Sequence, residues 1–278
     1  MKLEIPFTPR LGLQIASGID QSSPYPTARI QKGLTLLYDG QDLSEEAVGF
    51  GVPIIKRSLQ TIFPSEVDLY FHGGSARTKV SARYKLNLEE RIVRNGNGSI
   101  KSQLVYTGKN SLAAIIRRIP LLRRPLTGTS NLLRSRLAFQ STYEKSEFST
   151  HAILTYTIDE RHGRIMVELV GGDFLSNSIS EIIIMNELGA HHFDQFQDSE
   201  GTCQNGDEIG CWDLVEALEA SFIDQTNKLS FSLGQVKGAR LYRGRELIEP
   251  RLAWSGFGYS FPPKLRPFQY EITLKSLA

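Results

Sequence analysis

The chain has 278 residues, 40% hydrophobic and 22% charged, with a formal net charge of +2, so it can bury a substantial core in one large or two small domains. No apolar run reaches the roughly 18–20 residues that cross a bilayer as a helix, and two cysteines, Cys203 and Cys211, are too few for a disulfide framework. The opening segment MKLEIPFTPRLGLQIASG is broken by Pro6, Pro9 and Arg10 before a signal-peptide core could form, which predicts a cytoplasmic chain.

In LYDGQDLSEEAVGFGVPIIK, residues 37–56, the glycines at 49 and 51 predict a bulge or a close backbone approach, and Pro53 predicts an edge or a bend. The GK[ST] ending of a phosphate loop is absent. Val67, Leu69 and Phe71 then alternate along a strand that ends in the turn FHGG, where His72 is expected to face solvent. Val80, Ala82, Tyr84, Leu86 and Leu88 mark one face of a long antiparallel strand, with Lys79, Ser81, Arg83, Lys85 and Asn87 on the other.

The middle of the chain changes character. Ser111 can cap a helix whose Leu112, Ile115, Ile116 and Ile119 form one stripe up to Pro120, and a second short helix is expected after Ser130. From Arg91 to Tyr143 there are ten Lys or Arg residues and no carboxylate, whereas Ile165 to Asn227 holds thirteen Asp or Glu residues and no Lys or Arg. Two such stretches either pair with each other or make surfaces of opposite potential, and the near-neutral total favours pairing. Arginine forks at Arg117, Arg118, Arg123 and Arg124 suit an anionic membrane surface or a phosphorylated ligand. The other reading of this segment is a connection packed over a sheet. No nucleic-acid motif accompanies the charge, so nucleic acid is not an expected partner.

Leu154-Tyr156-Ile158 and Ile165-Val167-Leu169 flank DERHG and predict a hairpin. The next region, 186–212, carries His191, His192, both cysteines and many carboxylates. Adjacent histidines on a strand would point to opposite faces, and the cysteines form no CxxC pair, so no metal is expected. One of His191 or His192 beside Glu187 or Asp194 would suit proton transfer instead. DLVEALEA, 213–220, reads as a short helix, and Leu229, Phe231 and Leu233 as a strand.

LYRGRELIEPRLAWSGFGYSF, 241–261, concentrates planar groups. On a strand Arg243 and Arg245 share one face, and Tyr242 and Glu246 the other, with Trp254, Phe257 and Tyr259 following. Sugars are gripped by such a mixture, since apolar ring faces stack on aromatics while hydroxyls bond to charged groups. An arginine–glutamate ladder over a buried tryptophan is the structural alternative.

Phe268, Tyr270, Ile272 and Leu274 close the chain on a strand, and the ending PPKLRPFQYEITL resembles that of the galactose mutarotase-like superfamily, which includes the aldose 1-epimerases. That resemblance, over about the last third of the chain, implies a large antiparallel sandwich with a sugar on a concave sheet and a carboxylate base at Glu246 or Glu249. The epimerases' histidine signature is absent, so neither His191 nor His192 is equated with their acid.

The chain is thus expected to be all-β, a two-sheet antiparallel sandwich of supersandwich type spanning 1–278, with a basic, partly helical insertion at about 111–140. The expected function is carbohydrate binding or modification, with a saccharide as ligand. Arg243, Arg245, Trp254 and Tyr259 would bind it, His192 and Glu246 would serve as acid-base groups, and no cofactor is expected. The alternatives are a non-enzymatic module docking through 117–136, and an assembly subunit.

Overall fold

A computed structural model describes residues 2–19, 26–57, 60–72, 78–94, 139–174, 178–248, 252–265 and 267–277, with backbone alone for 26, 90–94 and 139–142. The chain divides into two compact units, Met1–Glu89 with Lys145–Ala278, and Glu90–Glu144. The helices expected after Ser111 and Ser130, and Arg117, Arg118, Arg123 and Arg124, lie outside the described residues.

Among the described residues every long element is a strand. In order they are β1 (Lys2–Pro6), β2 (Leu11–Ala16), β3 (Thr35–Tyr38), β4 (Gln41–Asp42), β5 (Gly49–Arg57), β6 (Gln60–His72), β7 (Thr78–Arg94), β8 (Phe139–Asp159) and β9 (Arg164–Gly172). There follow β10 (Ile179–Leu188), β11 (Gln195–Asp198), β12 (Cys203–Asn205), β13 (Asp213–Leu214), β14 (Glu219–Asp224), β15 (Leu229–Gly234), β16 (Arg240–Ile248), β17 (Leu252–Phe261) and β18 (Phe268–Ser276). Alternation is the cause: Val80, Ala82, Tyr84 and Leu86 on β7 are all buried, and so are Tyr270, Ile272 and Leu274 on β18. The 154–169 hairpin forms as the sequence predicts, with Asp159 opposite Arg164 and Gly163 in the left-handed region at φ 65°.

The segment 213–220 is a correction to the sequence reading. It is not helical: strand at Asp213–Leu214 and again from Glu219 flanks a bend at Ala217 and Leu218, with Val215 and Ala217 buried between exposed Leu214, Glu216 and Leu218. Pairing decides it: the Val215 N–H donates to Leu241 C=O at 2.9 Å. Leu214 lies opposite Tyr242.

β1 to β4 form a small sheet, and the other fourteen strands form one continuous sheet in the order β12-β11-β14-β15-β18-β9-β8-β7-β6-β5-β10-β17-β16-β13. Its two halves fold onto each other as a sandwich. Phe222 of β14 and Phe231 of β15 meet Phe257 of β17 at 4.9 and 5.7 Å, both edge-on, and Phe231 also meets Phe50 of β5 at 5.3 Å. The terminal strands β12 and β13 stand at opposite ends of that order, yet only Gly206–Trp212 separates them in the chain. Even fully extended, the path from Asn205 to Asp213 spans about 28 Å, so the sheet has to curl back for both ends to be made.

A buried polar chain crosses the core at the GFGVP segment. The Tyr84 hydroxyl meets that of Tyr156 at 2.8 Å, and Tyr156 donates to Gly51 C=O at 2.8 Å. The Gly51 N–H donates to Asn186 Oδ1 at 3.1 Å, and Tyr270 donates to the same oxygen at 2.7 Å. Gly51 has φ 74°, and a Cβ there would lie 2.5 Å from the Tyr156 ring, so the position needs glycine on both counts. Burial drives the phenol pKa values of Tyr84, Tyr156 and Tyr270 upward, which keeps these hydroxyls neutral.

Candidate functional site

The pairing of β16 with β17 sorts the predicted site residues by face. Arg243 lies opposite Phe257, Arg245 opposite Ser255, and Leu241 opposite Tyr259, and this set turns towards the core. Glu246 opposite Trp254, Gly244 opposite Gly256, and Tyr242 opposite Gly258 take the outer face. The six residues expected to share one site therefore stand on two sides of the sheet or, for His192, on a separate turn.

On the inner side the arginines bind the protein itself. The Arg243 guanidinium lies 3.9 Å over the Phe196 ring of β11, tying one end of the long sheet to the other. Arg245 donates through Nη2 to Ala190 C=O at 3.1 Å and stands 3.6 Å from the Asp207 carboxylate. Burial lowers its pKa against the attraction of Asp207 and Asp194. Tyr259 is buried and donates to Gly234 C=O at 2.5 Å.

The outer face carries the aromatic platform. Trp254 is buried, at 5% exposure, because the indole of Trp212 is stacked on it at 5.1 Å between centroids and 27° between planes. Trp212 precedes β13 with φ 58°, a left-handed conformation that costs a bulky residue free energy. It rests where a Cβ at Gly258 would lie 2.8 Å from its ring and one at Gly244 2.9 Å from its backbone nitrogen, so glycine makes the bed. Trp212 and Tyr242 are both half-buried, and Tyr242 leads on to Arg240, whose guanidinium is 5.7 Å from its ring. Arg240 Nη2 stands 3.5 Å from Glu181 Oε1, and Lys56 Nζ 2.9 Å from Glu181 Oε2. The Ser260 hydroxyl donates to Glu181 Oε1 as well. Burial pushes the Glu181 carboxyl up, but these hydrogen bonds and cations together hold it below its ordinary value.

Glu187 sits on the same face of β10, opposite Gly49 on one side and Gly256 on the other. It is buried, and that burial pushes its carboxyl up to about 8, with the Glu246 charge adding to the rise and the Val48 N–H opposing it. A carboxylic acid that keeps its proton at neutral pH beside a second carboxyl group is an arrangement able to donate a proton.

The two histidines do not lie on a strand. They sit in a turn closed by the N–H groups of His192 and Phe193 donating to Gly189 C=O, so their rings are not forced to opposite faces. Both reach Glu45: His191 Nδ1 at 2.9 Å and His192 Nε2 at 3.3 Å. His192 Nδ1 stands 3.7 Å from Asp224, a buried carboxylate that accepts the Asn227 N–H and side-chain amide. Glu45 and Asp224 are thus carboxylates that stand beside the histidines.

Sequence reasoning missed Trp212, Tyr242 as a platform residue, and Glu181. The available signal was the spacing of Gly244, Gly256 and Gly258, all on one face once the strands pair, which leaves a bare strip for rings to cover.

No family model matches the chain, and no curated protein matches it in sequence. Among solved structures it is similar to the alpha-N-acetylgalactosaminidase NagBb from Bifidobacterium bifidum in its GalNAc complex, with TM-score 0.49 and 10% identity over 99% of this chain and 35% of that one. It is also similar to the Slr1438 protein from Synechocystis sp. PCC 6803, with TM-score 0.40 and 7% identity over 99% and 96% of the two chains. The present chain thus spans about a third of the length of NagBb.

Proposed function

We propose that the protein is a saccharide-binding β-sandwich of the mutarotase-like kind, and that the sugar lies on the outer face of β16 and β17 against Trp212 and Tyr242. The observation that carries this reading is the half-buried indole of Trp212, held in a left-handed backbone over a glycine bed and backed by Trp254. A rigid aromatic surface beside Arg240, Glu181 and Glu246 offers stacking for a ring and charged partners for its hydroxyls. Modification of the sugar would draw on Glu187 and Glu246, one carboxyl protonated at neutral pH and the other on the same face. The arginines Arg243 and Arg245 and the phenol of Tyr259 support this surface from behind.

The chain has two tryptophans, and both are in the platform, so intrinsic emission reports on this face alone. Titration with a panel of neutral and acidic mono- and oligosaccharides is expected to shift that emission saturably. Trp212→Ala is expected to weaken binding at least tenfold while leaving the strand signal in circular dichroism unchanged. No binding of any saccharide by fluorescence or calorimetry would refute the reading.

A further inference from the structure

We propose that the depression beside Arg240 takes the carboxylate of an acidic saccharide, a uronic acid, whose ring lies on the Trp212–Tyr242 platform; this rests on the saccharide reading of that face. Beside the platform lies an open depression of about 360 Å³, lined by Ser260, Glu181, Arg240, Gly238 and Pro262 among others. Arg240 and Tyr242 are two residues apart on one strand face, about 7 Å along it, so a ring stacked on Tyr242 presents its substituents to the guanidinium.

The charge balance of the depression is cationic. Among the described residues Glu181 is its one lining carboxylate, and Lys56 and Arg240 both approach it. The two loops that contribute Gly238 and Pro262 also carry exposed Lys237 and Lys264. Residues 229–245 and 252–265 contain no Asp or Glu, so nothing else on those segments offsets these cations. A neutral sugar makes no use of such an excess, whereas a carboxylate does.

The geometry also divides the two cations that touch Glu181. Lys56 is close, at 2.9 Å, while Arg240 stands at 3.5 Å from an oxygen that already receives the Ser260 hydroxyl. The Arg240 side chain is 65% exposed and keeps most of its donor fork for a ligand. A guanidinium binds a carboxylate by two parallel N–H donors, a match an ammonium group cannot make.

The experiment compares galacturonate and glucuronate oligomers with galactose and glucose oligomers of the same length, by tryptophan emission and calorimetry at low salt. The acidic ligands are expected to bind at least tenfold tighter, with an advantage that shrinks as salt rises. Arg240→Ala is expected to erase the advantage, weakening the acidic ligands at least tenfold more than the neutral ones at an unchanged melting temperature, with Arg240→Lys restoring only part of it. Equal affinity for both ligand sets, or a loss in Arg240→Ala that is the same for both, would overturn the carboxylate assignment while leaving the platform. Absence of binding to either set would overturn the platform and the assignment together.

Discussion

Replacing Glu187 by glutamine should reverse the usual sign of a core polar substitution at alkaline pH. Its carboxyl is raised from 4.5 to about 8, so between those values the folded chain holds a proton that the unfolded chain has released. Stability therefore falls as pH rises, by about 1.4 kcal/mol per pH unit, and the full decline reaches about 5 kcal/mol. Glutamine keeps the shape and can still accept the Val48 N–H, but it does not titrate. Melting curves of the two proteins should nearly coincide at pH 5 and separate by pH 9, with the variant the more stable by on the order of 10 °C. Glu246→Gln, which removes the charge that adds to the burial effect, should shorten the wild-type decline. Parallel pH profiles for wild type and Glu187→Gln would refute the reasoning.

Four further substitutions test the packing. Gly51→Ala places a methyl group 2.5 Å from the Tyr156 ring at φ 74°, and is expected to cost about 3 kcal/mol or more in chemical denaturation. Gly40→Ala, at φ 81° with nothing within 4 Å, should cost only about 1–2 kcal/mol, so the difference isolates the clash. Tyr156→Phe leaves both Gly51 C=O and the Tyr84 hydroxyl without their partner and should cost about 2–3 kcal/mol. Tyr270→Phe leaves Asn186 still bonded to the Gly51 N–H and should cost about 1 kcal/mol.

Strands whose two faces differ in solvent exposure were legible in the sequence, because period two leaves a mark wherever one face is buried. β7, β18 and the β8–β9 hairpin are of that kind, and so is the sharing of one face by Arg243 and Arg245. The segment 213–220 was not, since its leucines at 214 and 218 fall outside and its core contacts are made by the smaller Val215 and Ala217. The histidine pair was read as strand because nothing in the local pattern shows that the chain turns at Gly189. The platform depends on where the indole of Trp212 goes, and that follows from a left-handed backbone at a residue type that seldom adopts it. Strand pairing, unlike alternation, is a long-range fact: Glu181 meets Arg240 and Ser260 across 59 and 79 residues.

The two ends of the fourteen-stranded sheet are made by β12 and β13, of three and two residues, joined through Gly206–Trp212. A sheet of this width would ordinarily present two long rows of unpaired N–H and C=O groups, each a template for another chain. Here both rows end on very short strands joined by the same stretch, and Arg245 pins that stretch by donating its backbone N–H to Gly210 C=O at 3.1 Å and by pairing with Asp207. Protection against edge-to-edge association is thus concentrated in one segment. A single cleavage within 206–212 is therefore expected to loosen both margins at once, which light scattering of the nicked protein would report as association.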